Sequence, residues 1–188
     1  MDDALRDRLW RLETRVAVEE RIARYCFAID LRDRAALLDC FTEDVKFRRS
    51  DGSFDRGRER LWDYFVAALG DMGPTWHLPF NNLVVEFEGP DRVSSRHYGY
   101  AEHALEDRLV VAAMTYRHEL RAEGDTWRIS RRVVDFWYFC DADELVRRYG
   151  SRSALWWRGT PPRQWPEAAA TYRDFAAAHR GLAGTDPA

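Results

Sequence analysis

Four residues have side chains suited to moving protons: Tyr25 and Asp30 near the end of a first helical segment, His77 at the start of a β-rich region, and His103 on the stretch that follows. Asp30 lies over Cys26 and Ala23 at helical spacing, on the flank of an apolar stripe. It also sits toward a helix C-terminus, where the macrodipole disfavours a carboxylate. An imidazole is a natural partner for it, because a carboxylate fixes the histidine tautomer and stabilises the imidazolium. Such a pair can take a proton from carbon and return it to a leaving group. Each residue also has an ordinary structural use: Asp30 as the start of a turn between helices, His77 as a hydrogen-bonded residue at the mouth of a strand, Tyr25 as helix core.

The elements that must position these groups follow from apolar periodicity. Leu5, Leu9, Leu12 and Val16, then Val18, Ile22, Tyr25 and Ile29, predict a long amphipathic helix over 3–32. Asp33 is a candidate N-cap for a short helix at 33–41, and VKFRR at 45–49 alternates as a strand. RERLWDYFVAALG at 58–70 forms a third helix ending at glycine, after which β-branched and aromatic residues predict strands at 76–88, 93–105, 108–122 and 126–139. Helices first and sheet second is the order of an α+β domain, with an antiparallel meander as the simplest topology. Beyond residue 140 come a helix-like DADELVRRYG, an irregular stretch with Trp156, Trp157 and Trp165, and a helix EAAATYRDFAAAHR. That much indole predicts a tail folded over its own domain or docked on a neighbouring subunit.

Composition narrows the function classes. With 188 residues, 46% of them hydrophobic, the chain can bury one sizeable core. Its 29 basic residues against 32 acidic ones give a net charge of −3, which argues against a nucleic-acid partner or an anionic membrane surface. Lys46 is the single lysine and no glycine-rich phosphate loop surrounds it, so Schiff-base and P-loop chemistry lack support. Cys26, Cys40 and Cys140 are too widely spaced for a CxxC pair, and a reduced, cytoplasmic setting is expected. The charged MDDALRDR start resembles no signal peptide, and the apolar run LVVAAM is too short for a membrane helix. GxSxG and GxGxxG are absent, and HELRA at 118–122 lacks the second histidine of a zincin. His97, Glu102 and His103 have metal-ligand chemistry, but on a strand Glu102 points away from the two histidines, so neither a metal nor another cofactor is expected.

The VAVEERIARYCFAIDLRD helix, the LLDCFTEDVKF segment, the WHLPFNNLVVEFEG strand and GDTWRISRRVVDFWYF together resemble the SnoaL-like branch of the nuclear transport factor 2-like superfamily, over about residues 8–140. The resemblance implies a domain at 1–140 built as a cone of curved antiparallel sheet, closed by N-terminal helices around a deep apolar pocket. Residues 141–188 would be a Trp-rich extension. The family includes cofactor-free lyases such as scytalone dehydratase, bile-acid 7α-dehydratase and hexachlorocyclohexane dehydrochlorinase. In these an aspartate on the first long helix pairs with a histidine at the sheet. Asp30 and His77 stand at the matching positions. Tyr25 looks like the pocket tyrosine of bile-acid dehydratase, and His103 matches the second histidine of scytalone dehydratase, with Glu102 as a rival for the inward position. VKFRRS has no tyrosine where scytalone dehydratase uses one, so a scytalone substrate is not implied.

The resulting expectation is a dehydratase-type lyase acting on a hydrophobic cyclic or aromatic small molecule. His77 would be the base, Asp30 its orienting partner, Tyr25 a donor to an enolate oxygen, and His103 the acid for a departing hydroxyl. Strand register sets Arg131 on the face of Trp127 and Ile129, toward the pocket. Trp62, Phe65, Trp76, Met114, Tyr116 and Phe136 are candidate wall residues. A double-bond isomerase and a non-catalytic binding protein for hydrophobic ligands are the alternatives. Trimeric relatives point to a homotrimer first and a dimer second.

Overall fold

A computed structural model describes residues 2–70, 72–80, 82–148 and 170–178. Helix α1 spans Asp3–Asp30, with the Asp2 side chain capping its first turn. Its stripe divides in two. From Thr14 onward Val18, Ile22, Tyr25 and Ile29 are buried, whereas Leu5, Leu9, Leu12 and Val16, expected on the same buried stripe, are exposed. The inward face of the first turns is supplied instead by Trp10, which packs on Phe87 at 5.3 Å.

The end of α1 is held by backbone bonds from Arg32 to Ile29 (3.0 Å) and from Asp33 to Ala28 (2.9 Å), the Schellman pattern. Arg32 takes the left-handed position of that motif with φ 55°, where glycine is usual and a side chain costs about 1–2 kcal/mol. Asp33 then caps α2 (Arg34–Asp39), its Oδ1 accepting from the Ala36 N–H at 3.0 Å. A third helix, α3 (Arg58–Leu69), packs Leu61 and Phe65 into the core.

The described residues form seven strands in chain order: β1 (Phe41–Arg48), β2 (Phe54–Arg56), β3 (Thr75–Pro79), β4 (Val84–Phe87), β5 (Arg92–Ala104), β6 (Leu109–Glu123) and β7 (Thr126–Asp141). They form one sheet in the order β2-β1-β7-β6-β5-β3, with β4 also on β5. The predicted antiparallel meander holds for β5, β6 and β7, but β1 joins β7 in parallel, and β2 is a short addition the sequence pattern did not reveal. The expected strand at 76–88 is two strands: β3 pairs with Gly99–His103 and β4 with Val93–Arg96 of the same β5. Between them the Asn82 Oδ1 accepts the Tyr98 N–H at 2.9 Å.

Helices α1, α2 and α3 cover one face of this curved sheet, and the core lies between them and the sheet, around Tyr25, Phe41, Phe47, Leu61, Leu120 and Ile129. Register shifts in the β6–β7 ladder leave Ser130 and Trp137 as extra residues in β7. Each shift reverses which face the next side chains occupy. Gly99 permits the close seat of Tyr116, whose Cε2 is 2.6 Å from where a Cβ would stand.

Helix α4 (Ala142–Arg148) follows β7 directly, and Leu145 packs by Val111, Tyr138 and Cys140 on the outer face. Helix α5 spans Ala170–Ala178. Trp156, Trp157 and Trp165, and with them the expected docking of the tail, lie outside the described residues. Among the described residues no helix is long and apolar enough to cross a membrane.

Candidate active site

Asp30 is the last residue of α1, where carbonyl ends make a poor setting for a carboxylate. The compensation comes from β3. Asp30 Oδ1 lies 2.6 Å from His77 Nδ1, and Oδ2 accepts the His77 backbone N–H at 3.0 Å. Since a carboxylate accepts only, this contact puts a proton on Nδ1, and in the neutral ring the Nε2 lone pair is left for the cavity beside it. Both side chains are largely shielded, at 15% and 11% exposure.

His103 faces His77 edge-on, with ring centroids 5.8 Å apart. Burial, with a smaller contribution from the Arg32 cation, pushes its pKa down to about 4, so the ring is neutral near pH 7. Its Nδ1 lies 3.2 Å from Thr75 Oγ1. His103 and Ala101 face inward, and Glu102 between them is turned to the other face, as strand alternation requires.

These histidines border a cavity of about 280 Å³ whose walls include Phe65, Met114, Tyr116, Phe136 and Phe139. Phe136 and Phe139 stack at 5.8 Å, made neighbours on one face by the extra residue Trp137. At the floor is Arg132, only 6% exposed. Its Nε donates to the Tyr25 hydroxyl at 2.8 Å, and the guanidinium rests over the rings of Phe65, Tyr25 and Tyr116 at 5.2, 5.6 and 5.7 Å. Among the described residues no carboxylate pairs with it. A permanent cation without a counter-charge makes this floor receptive to negative charge.

Four expectations need correction. Arg131 points away from the cavity: the bulge at Ser130 reverses the alternation, so Arg131 pairs with Glu119 at 2.6 Å on the outer face while Arg132 turns inward. Trp76 is 66% exposed, because it neighbours His77 on one strand and the two must face opposite sides. Trp62 lines a separate hollow of about 300 Å³ with Ile29 and Leu37, and Tyr64 takes the place beside Phe65. Tyr25 is 1% exposed and lies behind Arg132, not on the cavity wall. Phe65, Met114, Tyr116 and Phe136 are on the wall as expected.

A wider groove of about 490 Å³ crosses the outer face of the sheet. Its arginines are largely committed to carboxylates, Arg48 and Arg117 to Asp135 and Arg131 to Glu119. His97 is remote from His103; it stacks on Tyr116 at 5.0 Å, and burial lowers its pKa to about 4. Among the described residues no three His, Cys, Asp or Glu side chains gather as metal ligands.

The fold agrees with what known proteins share with the chain. A hexachlorocyclohexane dehydrochlorinase structure superposes with a TM-score of 0.65 at 22% identity, covering 71% of this chain and 91% of that one. A scytalone dehydratase-like protein of Novosphingobium aromaticivorans gives 0.68 at 15% identity, covering 84% and 96%. A protein of the same organism assigned as an aromatic ring hydroxylase gives 0.63 at 28% identity, covering 70% and 94%. Among curated proteins no sequence match is found. The SnoaL-like domain model matches residues 10–133, a span that runs from within α1 through Asp30, His77, His103 and Arg132, and by that match the chain belongs to the SnoaL-like family of the nuclear transport factor 2-like superfamily.

Proposed function

We propose that the protein is a cofactor-independent lyase that eliminates water, or another group departing from carbon, from a hydrophobic cyclic or aromatic small molecule. The observation that carries this reading is the Asp30–His77 contact of 2.6 Å opening onto a mainly apolar cavity. His77 Nε2 takes the proton from the carbon next to a carbonyl, the C–H electrons become the new C=C bond, and the bond to the leaving group breaks. A hydroxyl leaves as water by taking the proton back from the His77 imidazolium. A halide leaves as the anion, and the imidazolium later gives its proton to solvent.

Charge that develops on the substrate is met by Arg132, with Tyr25 holding the guanidinium from behind. His103 is neutral near pH 7, so its part is a hydrogen bond to substrate oxygen and not the delivery of a proton. This revises the expected acid role. The dehydrochlorinase and dehydratase-like neighbours support elimination as the reaction class. Self-assembly in the cytoplasm, as a trimer before a dimer, belongs to the same reading. The exposed Leu5, Leu9, Leu12 and Trp76, Leu78, Phe80 give it apolar surface to bury.

The test is a panel of cyclic β-hydroxy and β-halo carbonyl compounds, followed by the ultraviolet absorbance of the conjugated product. Turnover by the native chain and its loss in His77→Ala is the expected result. A ligand that binds equally well to both, with no product from either, would identify a binding protein instead.

A further inference from the structure

The second cavity histidine has a support of its own, which begins at the turn after α1. Among the described residues Arg32 alone, apart from glycines, has a positive φ, at 55°. From that backbone its side chain curls back over the turn. Nη1 donates to the Ile29 carbonyl at 2.8 Å, and Nη2 reaches both the Gly73 carbonyl at 3.2 Å and Thr75 Oγ1 at 2.8 Å. Thr75 is buried and stands directly opposite His103 in the β3–β5 register, with Oγ1 3.2 Å from His103 Nδ1.

A threonine hydroxyl has one proton to give, and two acceptors compete for it: His103 Nδ1 and, at 3.3 Å, the Gly73 carbonyl. The Gly73 carbonyl is already served by the Arg32 guanidinium, whereas Nδ1 has no other hydrogen-bond partner among the described residues. The cation donating into Oγ1 also polarises the O–H and occupies one of its lone pairs, which favours donation onward. The hydroxyl proton therefore goes to Nδ1.

We infer that Arg32, acting through Thr75, is a positioning residue that holds His103 in its Nε2–H tautomer, with that N–H turned to the cavity. His77 is the opposite tautomer, its proton held at Nδ1 by Asp30. The cavity thus has one imidazole that accepts and one that donates, with ring centroids 5.8 Å apart. Such a pair selects substrates that present an acidic C–H to one ring and a hydroxyl or carbonyl oxygen to the other. That catalytic use rests on the elimination reading; the tautomer does not.

Long-range proton–nitrogen correlation spectra of the full-length ¹⁵N-labelled protein near pH 7 test it, with the His103 signals assigned by their absence in His103→Gln. In the native chain Nε2 should carry the proton and Nδ1 should not. Thr75→Val should lose the single-tautomer pattern, and Thr75→Ser should restore it. Arg32→Gly suits the left-handed backbone, so the melting temperature should hold or rise while His103 becomes a mixture of tautomers. A proton on Nδ1 in the native chain overturns the inference, as does a pattern unchanged in both Thr75→Val and Arg32→Gly. Spectra that move as expected in a chain with no elimination activity would uphold the tautomer and remove the lyase reading.

Discussion

The Asp30 carboxylate holds His77 at two points, one oxygen on the ring nitrogen and the other on the backbone N–H of the same residue. The second contact is independent of ring protonation, so it ties the end of α1 to β3 whether or not the histidine is charged. The first contact sets the tautomer that leaves a basic nitrogen in the cavity.

Asp30→Asn separates these two tasks. The amide oxygen can still accept the backbone N–H, so the fold should persist, with a melting temperature within a few degrees of the native one. The amide cannot stabilise an imidazolium, and turnover should fall by about 10²–10⁴-fold, the usual range for a disabled acid–base group. Steady-state kinetics with an unchanged circular dichroism spectrum is the check. Activity within threefold of native would remove Asp30 from the mechanism.

Adjacent arginines make a second comparison. Arg132 faces the cavity with no carboxylate partner among the described residues, and Arg131 is ion-paired with Glu119 outside it. Arg132→Met should lower turnover by about 10²–10³-fold, as expected for losing a preorganised donor to developing charge. The same change leaves the buried Tyr25 hydroxyl without its donor and should lower stability by about 1–3 kcal/mol. Arg131→Met should leave both nearly unchanged. Equal effects at the two positions would contradict the face assignment.

That comparison also shows what a linear pattern can and cannot convey. Asp30 was legible because it ends a helical stripe, and His77 because it opens the next β-rich segment. Arg132 was not, because one extra residue at Ser130 reverses strand parity, and nothing about a serine in WRISRR marks a bulge. Trp76 was legible in principle: alternation forbids two neighbours on one strand from sharing a cavity, so accepting His77 already excluded it. The β1–β7 parallel pairing joins segments from opposite ends of the domain and leaves no local signature. The Arg32–Thr75–His103 chain depends on the same kind of long-range meeting.

Replacing His103 discriminates between the two reaction types. His103→Ala removes the cavity-facing N–H while leaving the Asp30–His77 contact in place. Elimination of a hydroxyl needs that hydrogen bond as the C–O bond breaks, so turnover should drop by about 10²-fold. Isomerisation, in which His77 returns its proton to another carbon, has no leaving group to assist. Retained proton exchange at the substrate carbon with lost dehydration is the expected pair of outcomes, read by deuterium incorporation and by product absorbance. Full dehydration in the variant would rule out a role for His103.

Acid stability is set by imidazoles that fold in their neutral form. Burial lowers His97 and His103 to about 4 and lowers His118 as well. An unfolded histidine titrates near 6.5, so below that pH the unfolded chain binds protons that the folded one refuses. Stability is therefore greatest above about pH 6.5 and is lost as pH falls toward 4, at about 2 kcal/mol for each of His97 and His103 by pH 5. His97→Phe tests one of them cleanly, because a benzyl ring preserves the stacking on Tyr116. Between pH 7 and pH 5 the variant should lose about 2 kcal/mol less stability than the native chain, measured by urea denaturation at both values. The same loss in both proteins would mean that the folded state protonates His97 as readily as the unfolded one.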